Sequence, residues 1–552
     1  MLFSARSVRV AATATSLLAA TALLAGCTSG TAPQDSSAAE PVSGGTLVYA
    51  SGDAEPTCLD PHVGGNYPQA LLAGQFLETL FTKDDAGQIV PWLAASAEPS
   101  EDGLAWTLTL REGIEFTDGT PLDAEAVKTN IEHLQDPDTA SSTGYLAVQK
   151  IDEMTVKDPQ TLMLALSSPD SALLESLSMP WVAIESPAGL GRSQEANCAE
   201  PIGTGPFKVA GWTKQQSVEL TRNDDYVVPV EGAAHAGPAY LDGITWKFIP
   251  EAATRYAALQ SGTADIIDNA QPDAIATAEQ SGTIRHLDAP RPGASNRIEL
   301  NASKAPFDDA RVREAFIRSV NVDAGVESLF FGTAERSYSA LSSVEPMGYS
   351  DPDAFGYDPN AAARLLDGAG WDRRDAEGYR TKDGTRLTLR FPVSTNQSVP
   401  AEQSLFQQMQ ATAKDAGFAI ELDLLDLSSW YGALGKNDYN LVSAPYTKVG
   451  PDVLRILFHS DSTTPAPSGY FANHSQVKSP ELDALLTKAN RTTDQAERQA
   501  LYEDAQKLVL EGHHILPLYD QQNHFLYRPA LNGVGATTAV ASPVFHDAWL
   551  AE

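Results

Sequence analysis

Apolar residues recur along this chain with two periods, and the period changes at Gly- and Pro-containing turns. At 106–110, Trp106, Leu108 and Leu110 alternate with Thr107 and Thr109, the period of a half-buried strand. Residues 45–50, GTLVYA, predict an opening strand. After the turn Thr117-Asp118-Gly119-Thr120-Pro121 the spacing lengthens. Ala124, Val127, Ile131 and Leu134 then share one helical face behind Asp123, a capping carboxylate. Val312, Ala315, Phe316 and Ser319 form a second face, entered through Pro306-Phe307-Asp308-Asp309. Ser479-Pro480 predicts a third helix, with Leu482, Leu485, Leu486 and Ala489 as its stripe. A fourth starts at Asp494, with Glu497 completing a capping box, carries Leu501, Ala505, Leu508 and Val509, and stops at Gly512. These stripes predict core rather than function, and their mixture predicts an α/β (mixed α+β) fold.

The N-terminus follows neither period. Arg6 and Arg9 precede an apolar run over 10–24, too short to cross a bilayer comfortably but suited to an export signal. The run ends in Leu24-Ala25-Gly26-Cys27, which resembles a bacterial lipobox. That resemblance implies a signal peptide over 1–26 and lipidation of Cys27, anchoring the protein to the outer face of the cytoplasmic membrane. A plain signal peptide with a chance cysteine is the alternative. Residues 27–43 are small, polar and Pro-containing, the composition of a disordered tether. The rest of the chain is too long for one core, so two or more lobes are expected.

Charge narrows the function. The formal net charge is −34, which repels nucleic acid and anionic head groups; nucleic-acid binding is excluded. Of three cysteines, Cys27 is assigned to lipid. Cys58 and Cys198 remain as an even pair in an exported chain and predict a disulfide, two free buried thiols being the alternative.

Catalytic motifs are missing. There is no Gly-x-Ser-x-Gly and no His-Glu-x-x-His. His513 and His514 are adjacent and point different ways on any regular element. Gly203-Thr204-Gly205-Pro206-Phe207-Lys208 lacks the ending of a phosphate-binding loop, and Pro206 removes a needed N–H; it predicts a structural turn. No metal ligand set is assigned.

Several longer stretches, in order, resemble the extracytoplasmic solute-binding proteins of peptide/nickel-type ABC importers, the dipeptide- and oligopeptide-binding family, family 5. They are WTLTLREGIEFTDGTPLDAEAV (106–127), PIGTGPFKVAGW (201–212), IELNASKAPFDDARVREAFIRSV (298–320) and DPNAAARLLDGAGW (358–371). The C-terminal run from SPELDALLTKAN to ILPLYD continues the series. The resemblance implies a two-lobed hinged fold of the periplasmic-binding-protein type. Lobe I would comprise 44–83, 200–290 and 515–552, with an extra domain, 84–199, packed on it. Lobe II would be 291–514. A solute would be held between the lobes and delivered to the permease subunits. A separate ATPase supplies energy, so no cofactor is implied, and a monomer is expected.

In peptide-binding members a Tyr/Phe-Asp-Leu/Val strand leads to a tryptophan and then to an aspartate that pairs with the peptide ammonium. Here the strand is Tyr439-Asn440-Leu441-Val442; Tyr446 falls near the tryptophan position, and Thr447-Lys448-Val449 covers the aspartate's. Trp430 matches an upstream pocket aromatic. Asp452 is a candidate substitute acid, and Asn66 and Tyr67 are candidates from the entrance loop of lobe I. A buried ammonium without a carboxylate is costly. Lys448 facing the pocket would therefore favour an anionic group; the alternative is Lys448 in solvent. The expected function is an importer-associated binding lipoprotein, not an enzyme, for a peptide or peptide-like solute. Non-peptide ligands of the same transport class (nickel chelate, opine, siderophore, oligosaccharide), a secreted lipoprotein hydrolase and a surface adhesin are the alternatives.

Overall fold

A computed structural model of the protein describes residues 40–84, 86–227, 234–443, 445–466 and 469–551. The expected leader, Cys27 and the tether up to residue 39 lie outside the described residues. The chain divides after Pro41, and Val42–Glu552 is the folded body.

The helices begin where the caps predict. Asp123 accepts the Ala126 N–H at 2.9 Å and starts Ala124–Gln135. Asp309 caps Ala310–Ser319, Ser479 caps Pro480–Arg491, and Asp494 caps Gln495–Glu511 through the Glu497 N–H. Each cap satisfies an N–H that the first helical turn leaves without a partner, worth about 1 kcal/mol. Ala124, Val127, Ile131 and Leu134 are all buried.

Three large cores organise the strands. One lies against a seven-stranded sheet ordered Arg285–Pro290, Gln522–Tyr527, Ile266–Ile267, Thr46–Ser51, Gly243–Phe248, Ser217–Arg222 and Phe207–Thr213. Thr46–Ser51 is parallel to both its neighbours, in register Thr46 to Gly243 and Tyr49 to Ile266. Tyr49 stacks on Trp246 at 3.9 Å between ring centroids.

A second core is covered by the antiparallel sheet Ala94–Pro99, Ala105–Leu110, Thr161–Leu166 and Ile151–Asp158. Leu108, Leu110, Leu162 and Leu164 face inward with Val127 and Ile131 of the helix. Period two on the strands and period 3.6 on the helix thus meet in one apolar layer.

The third core surrounds Leu441–Ser443, Asn296–Leu300 and Ile515–Tyr519, a three-stranded antiparallel sheet. Its central strand is buried along its whole length. Beside it, parallel Thr388–Ser394 and Ala419–Leu425 are joined through helix Pro400–Ala416.

The chain passes from the seven-stranded to the three-stranded sheet at 291–295 and returns at 520–521. These crossings are tied together. Arg291 N–H donates to Gln521 O at 2.9 Å, and Gln521 Nε2 donates to Ala294 O at 3.0 Å. Cys58 and Cys198 form the expected disulfide, and Leu59 N–H donates to Cys198 O beside it.

The Gly203–Pro206 stretch is a structural turn against Phe76. A Cβ on Gly203 would lie 2.1 Å from Phe76 O, closer than nonbonded atoms can sit. Gly203→Ala is expected to cost about 1–3 kcal/mol, the range for overpacking, read as a lower urea midpoint at unchanged slope.

Candidate functional site

One cavity of about 1560 Å³ lies where loops of the seven-stranded sheet meet loops of the three-stranded sheet. Both crossings reach it, through Arg291 and through Asp520 and Gln521. Its volume exceeds the ~300–1,000 Å³ usual for small-molecule pockets.

Four expected residues line it: Asn66, Tyr67, Tyr446 and Thr447. Asn66 caps helix Tyr67–Ala73 by accepting Gln69 N–H at 3.1 Å, and its carbonyl accepts Trp181 Nε1–H at 3.0 Å. The entrance loop is held at both ends. Tyr67 hydroxyl donates to Val540 O and accepts from Asn523 Nδ2, each at 2.6 Å. Burial pushes the Tyr67 phenol up to about 12 against the opposing pull of Arg291 and Asn523, so it stays protonated and donating. The Arg291 guanidinium lies 3.6 Å from the Tyr67 ring centroid, within cation–π range. Arg291 Nε and Nη2 donate to Thr447 Oγ1 at 3.0 and 2.5 Å. One cation thus joins Tyr67, from one set of loops, to Thr447, from the other.

Three expected residues lie outside the cavity wall: Trp430, Lys448 and Asp452. Trp430 packs with Leu434, Tyr439 and Val442 in a small core. Its neighbour Tyr431 faces the cavity instead, as adjacent helical residues diverge by about 100°. Lys448 is neither in the cavity wall nor in solvent. It is 1% exposed, and Nζ donates to Ser176 Oγ at 2.9 Å.

Around Lys448 a buried ionic network joins 150–176 to 448–502. Asp452 accepts Arg455 Nε at 3.0 Å and Nη2 at 2.8 Å, and Asn490 Nδ2 at 2.9 Å. The same Asn490 amide donates to Asp170 at 2.9 Å, and Lys150 Nζ donates to its oxygen. Lys150 also pairs with Asp170 at 3.3 Å, and Arg498 pairs with Glu175 at 3.2 Å. Burial raises the Asp452 carboxyl, but Arg455 and Lys448 outweigh it and bring the group down to about 2. Burial lowers the Lys448 ammonium, and Asp452 and Glu175 pull it back.

Asp53, Tyr431 and Arg291 also line the cavity, and no motif marks them in the sequence. Asp53 follows the first strand and accepts Asn269 Nδ2 at 2.7 Å. Burial, then the Asp268 carboxylate, raise it to about 7. Arg291 carried one usable signal, a lone cation between Pro290 and Pro292 just beyond a strand.

Two groups of potential metal ligands sit apart from the cavity wall: His235, His546 and Asp547, and Asp60, His62 and Glu185. The His235 and His546 rings are stacked at 4.0 Å and 2°. Both Nδ1 atoms meet Asp547 Oδ1, at 2.7 Å from His235 and 3.0 Å from His546. Each Nε2 contacts a backbone carbonyl, Pro238 O and Gly237 O. His62 uses Nε2 on Ala183 O and Nδ1 on His133. In the second cluster Asn197 Nδ2 donates to Asp60 Oδ2 at 3.1 Å and to Glu185 Oε2 at 2.8 Å, and Glu185 Oε1 has no hydrogen-bond partner among the described residues.

Comparison with known proteins agrees with this geometry. Residues 88–468 match the family model described as bacterial extracellular solute-binding proteins, family 5 Middle. The glutathione-binding protein GsiB of Pectobacterium atrosepticum is 29% identical over 469 residues, 82% of this chain and 84% of that one. Among solved structures, NikA from Brucella suis in complex with Fe(III)-EDTA superposes with a TM-score of 0.77 at 25% identity, covering 92% of this chain and 100% of that one. DppA from Helicobacter pylori in complex with peptide STSA gives 0.79 at 24% identity, covering 93% and 99%.

Proposed function

Because the chain belongs to the bacterial extracellular solute-binding proteins, family 5, we propose that its 1560 Å³ cavity captures a peptide or peptide-like solute. The chain is a solute-binding protein of an ABC importer, working outside the cytoplasm with the permease subunits, and not an enzyme. The cavity carries the ligand proposal. It has room for a chain of several residues, and a lone amino acid or small chelate would leave most of it to water. GsiB relatives named for glutathione, itself peptide-like, support the same class.

The lobes we assign are 44–83, 200–290 and 515–552 for the first, with 84–199 packed on it, and 291–514 for the second. This division is supported by the seven-stranded sheet, which draws its strands from 46–51, 207–290 and 522–527. Asn66 and Tyr67 then contact the solute from the first lobe, and Tyr446 and Thr447 from the second. A solute touching both favours the closed form by its differential affinity. Lipidated Cys27 and the tether keep the protein at the membrane face beside its permease, raising the effective concentration.

The test is differential scanning fluorimetry on dialysed protein, with mass spectrometry of whatever solute co-purifies. A hundredfold excess of ligand over Kd stabilises by about 2.7 kcal/mol. Peptides of three to five residues are expected to raise Tm by a few degrees, and single amino acids not to. A Tm that responds to metal chelates or sugars and to no peptide would refute the ligand class and leave the transport class standing.

A further inference from the structure

The charges inside the cavity are lopsided. Eight carboxylates line it against two guanidiniums, and no lysine. The whole chain has 72 acidic against 38 basic residues, so the cavity is about twice as biased as the protein at large.

Both guanidiniums are engaged by the protein. Arg255 donates to the carbonyls of Ile249, Pro250, Asp268 and Asn269, at 2.6–3.2 Å. Arg291 lies on the Tyr67 ring and donates twice to Thr447. Asp268 is equally occupied, accepting Tyr49 hydroxyl, Ser51 hydroxyl and Gly52 N–H. Asp53 differs. Its Oδ1 accepts Asn269 Nδ2 at 2.7 Å, and its Oδ2 has no hydrogen-bond partner among the described residues. It lines the cavity and is neither fully buried nor on the outer surface. A carboxylate so placed gains most from a cation that brings its own hydrogen-bond donors.

We infer that the cavity selects solutes of net positive charge, with Asp53 as the residue that holds an ammonium or guanidinium group of the ligand. The inference rests on the cavity being the solute site. It reverses the anionic preference expected from Lys448, because that lysine is spent on Ser176 and the acids around it. The field of a chain at −34 adds a kinetic bias, drawing cations inward and slowing anions.

The groups acting on Asp53 are Asp268, Arg291, Arg255, Tyr49 and Tyr67. Burial and Asp268 raise its carboxyl to about 7, so a proton competes with the ligand cation below neutrality. Cation affinity should then fall by about tenfold from pH 8 to pH 6.

The experiment is isothermal titration of the dialysed full-length protein with Ala-Lys-Lys-Ala, Ala-Gln-Gln-Ala, Ala-Glu-Glu-Ala and the triamine spermidine. The lysine peptide is expected to bind at least about tenfold tighter than the glutamate peptide. That ratio should collapse in Asp53→Asn, return in Asp53→Glu, and shrink as salt is raised. A glutamate peptide binding as tightly as the lysine peptide overturns the inference while leaving peptide capture intact. Spermidine binding without any peptide upholds the charge preference and overturns peptide capture. An unchanged ratio in folded Asp53→Asn removes Asp53 from the role, and no binding by any of the four refutes both. Should Asp53→Asn fail to fold, Asp53→Ser decides by the same ratio: an unchanged ratio in folded Asp53→Ser refutes the role.

Discussion

Asp452→Ala is expected to destabilise the folded protein by about 3–5 kcal/mol, the range for breaking a buried ion pair from one side. Asp452 is 1% exposed and accepts Arg455 through both oxygens, with Asn490 on the same carboxylate. Removing it takes the paired carboxylate from the Arg455 guanidinium and the strongest opposing charge from the buried Lys448 ammonium. Asp452→Asn keeps the shape and loses the charge, so it should fall between the two. Chemical denaturation checks the order. The pH dependence has a definite sign. The folded carboxyl is held at about 2, below its ordinary 3.8, so its stabilisation is complete above about 4 and is lost as pH falls toward 2. In Asp452→Ala the acid limb of the stability profile should flatten over that window. Lys448→Asp would help an ammonium ligand if the side chain faced the cavity. Here it adds a carboxylate beside Asp452, Glu175 and Asp170, and the outcome expected is loss of folded protein. A Lys448→Asp protein of unaltered stability would show that the network does not hold the fold together.

The disulfide has the second large effect. Cys58 and Cys198 close a loop spanning 140 residues, for which the chain-entropy model gives about 5 kcal/mol as an upper figure. The double substitution Cys58→Ala, Cys198→Ala should lower the first unfolding midpoint by up to that amount, and reduction of the natural protein should shift it similarly. An unchanged midpoint in both would show that the bridge constrains nothing the fold does not already hold.

Helix starts were readable because they depend on neighbours in sequence. Asp123, Asp309, Ser479 and Asp494 each cap the helix their position announces. The strand at 105–110 was readable for the same reason, its period being local. The seven-stranded sheet was not, since Thr46–Ser51 pairs with strands some two hundred residues away; the family resemblance, rather than any periodicity, carried the two-lobed fold.

The site divides in the same way. The loop after Leu441–Ser443 reaches the cavity with Pro445, Tyr446 and Thr447. A loop has no period to say where its next side chain turns. Lys448 turns away, and its Nζ donates a hydrogen bond to Ser176 Oγ, 272 positions earlier. Asp53 and Arg291 sit in coil just after strands, where no pattern marks them.

The network around Lys448 and Asp452 shares no residue with the cavity wall. With 84–199 riding on the first lobe as proposed, separating the lobes must break it whatever solute is inside. Escape of a bound solute then has to break this network as well as the solute's own contacts with the two lobes. The network adds a delay common to every solute, on top of the one each solute's affinity sets, and that common part is tunable at Asn490 without altering the cavity wall.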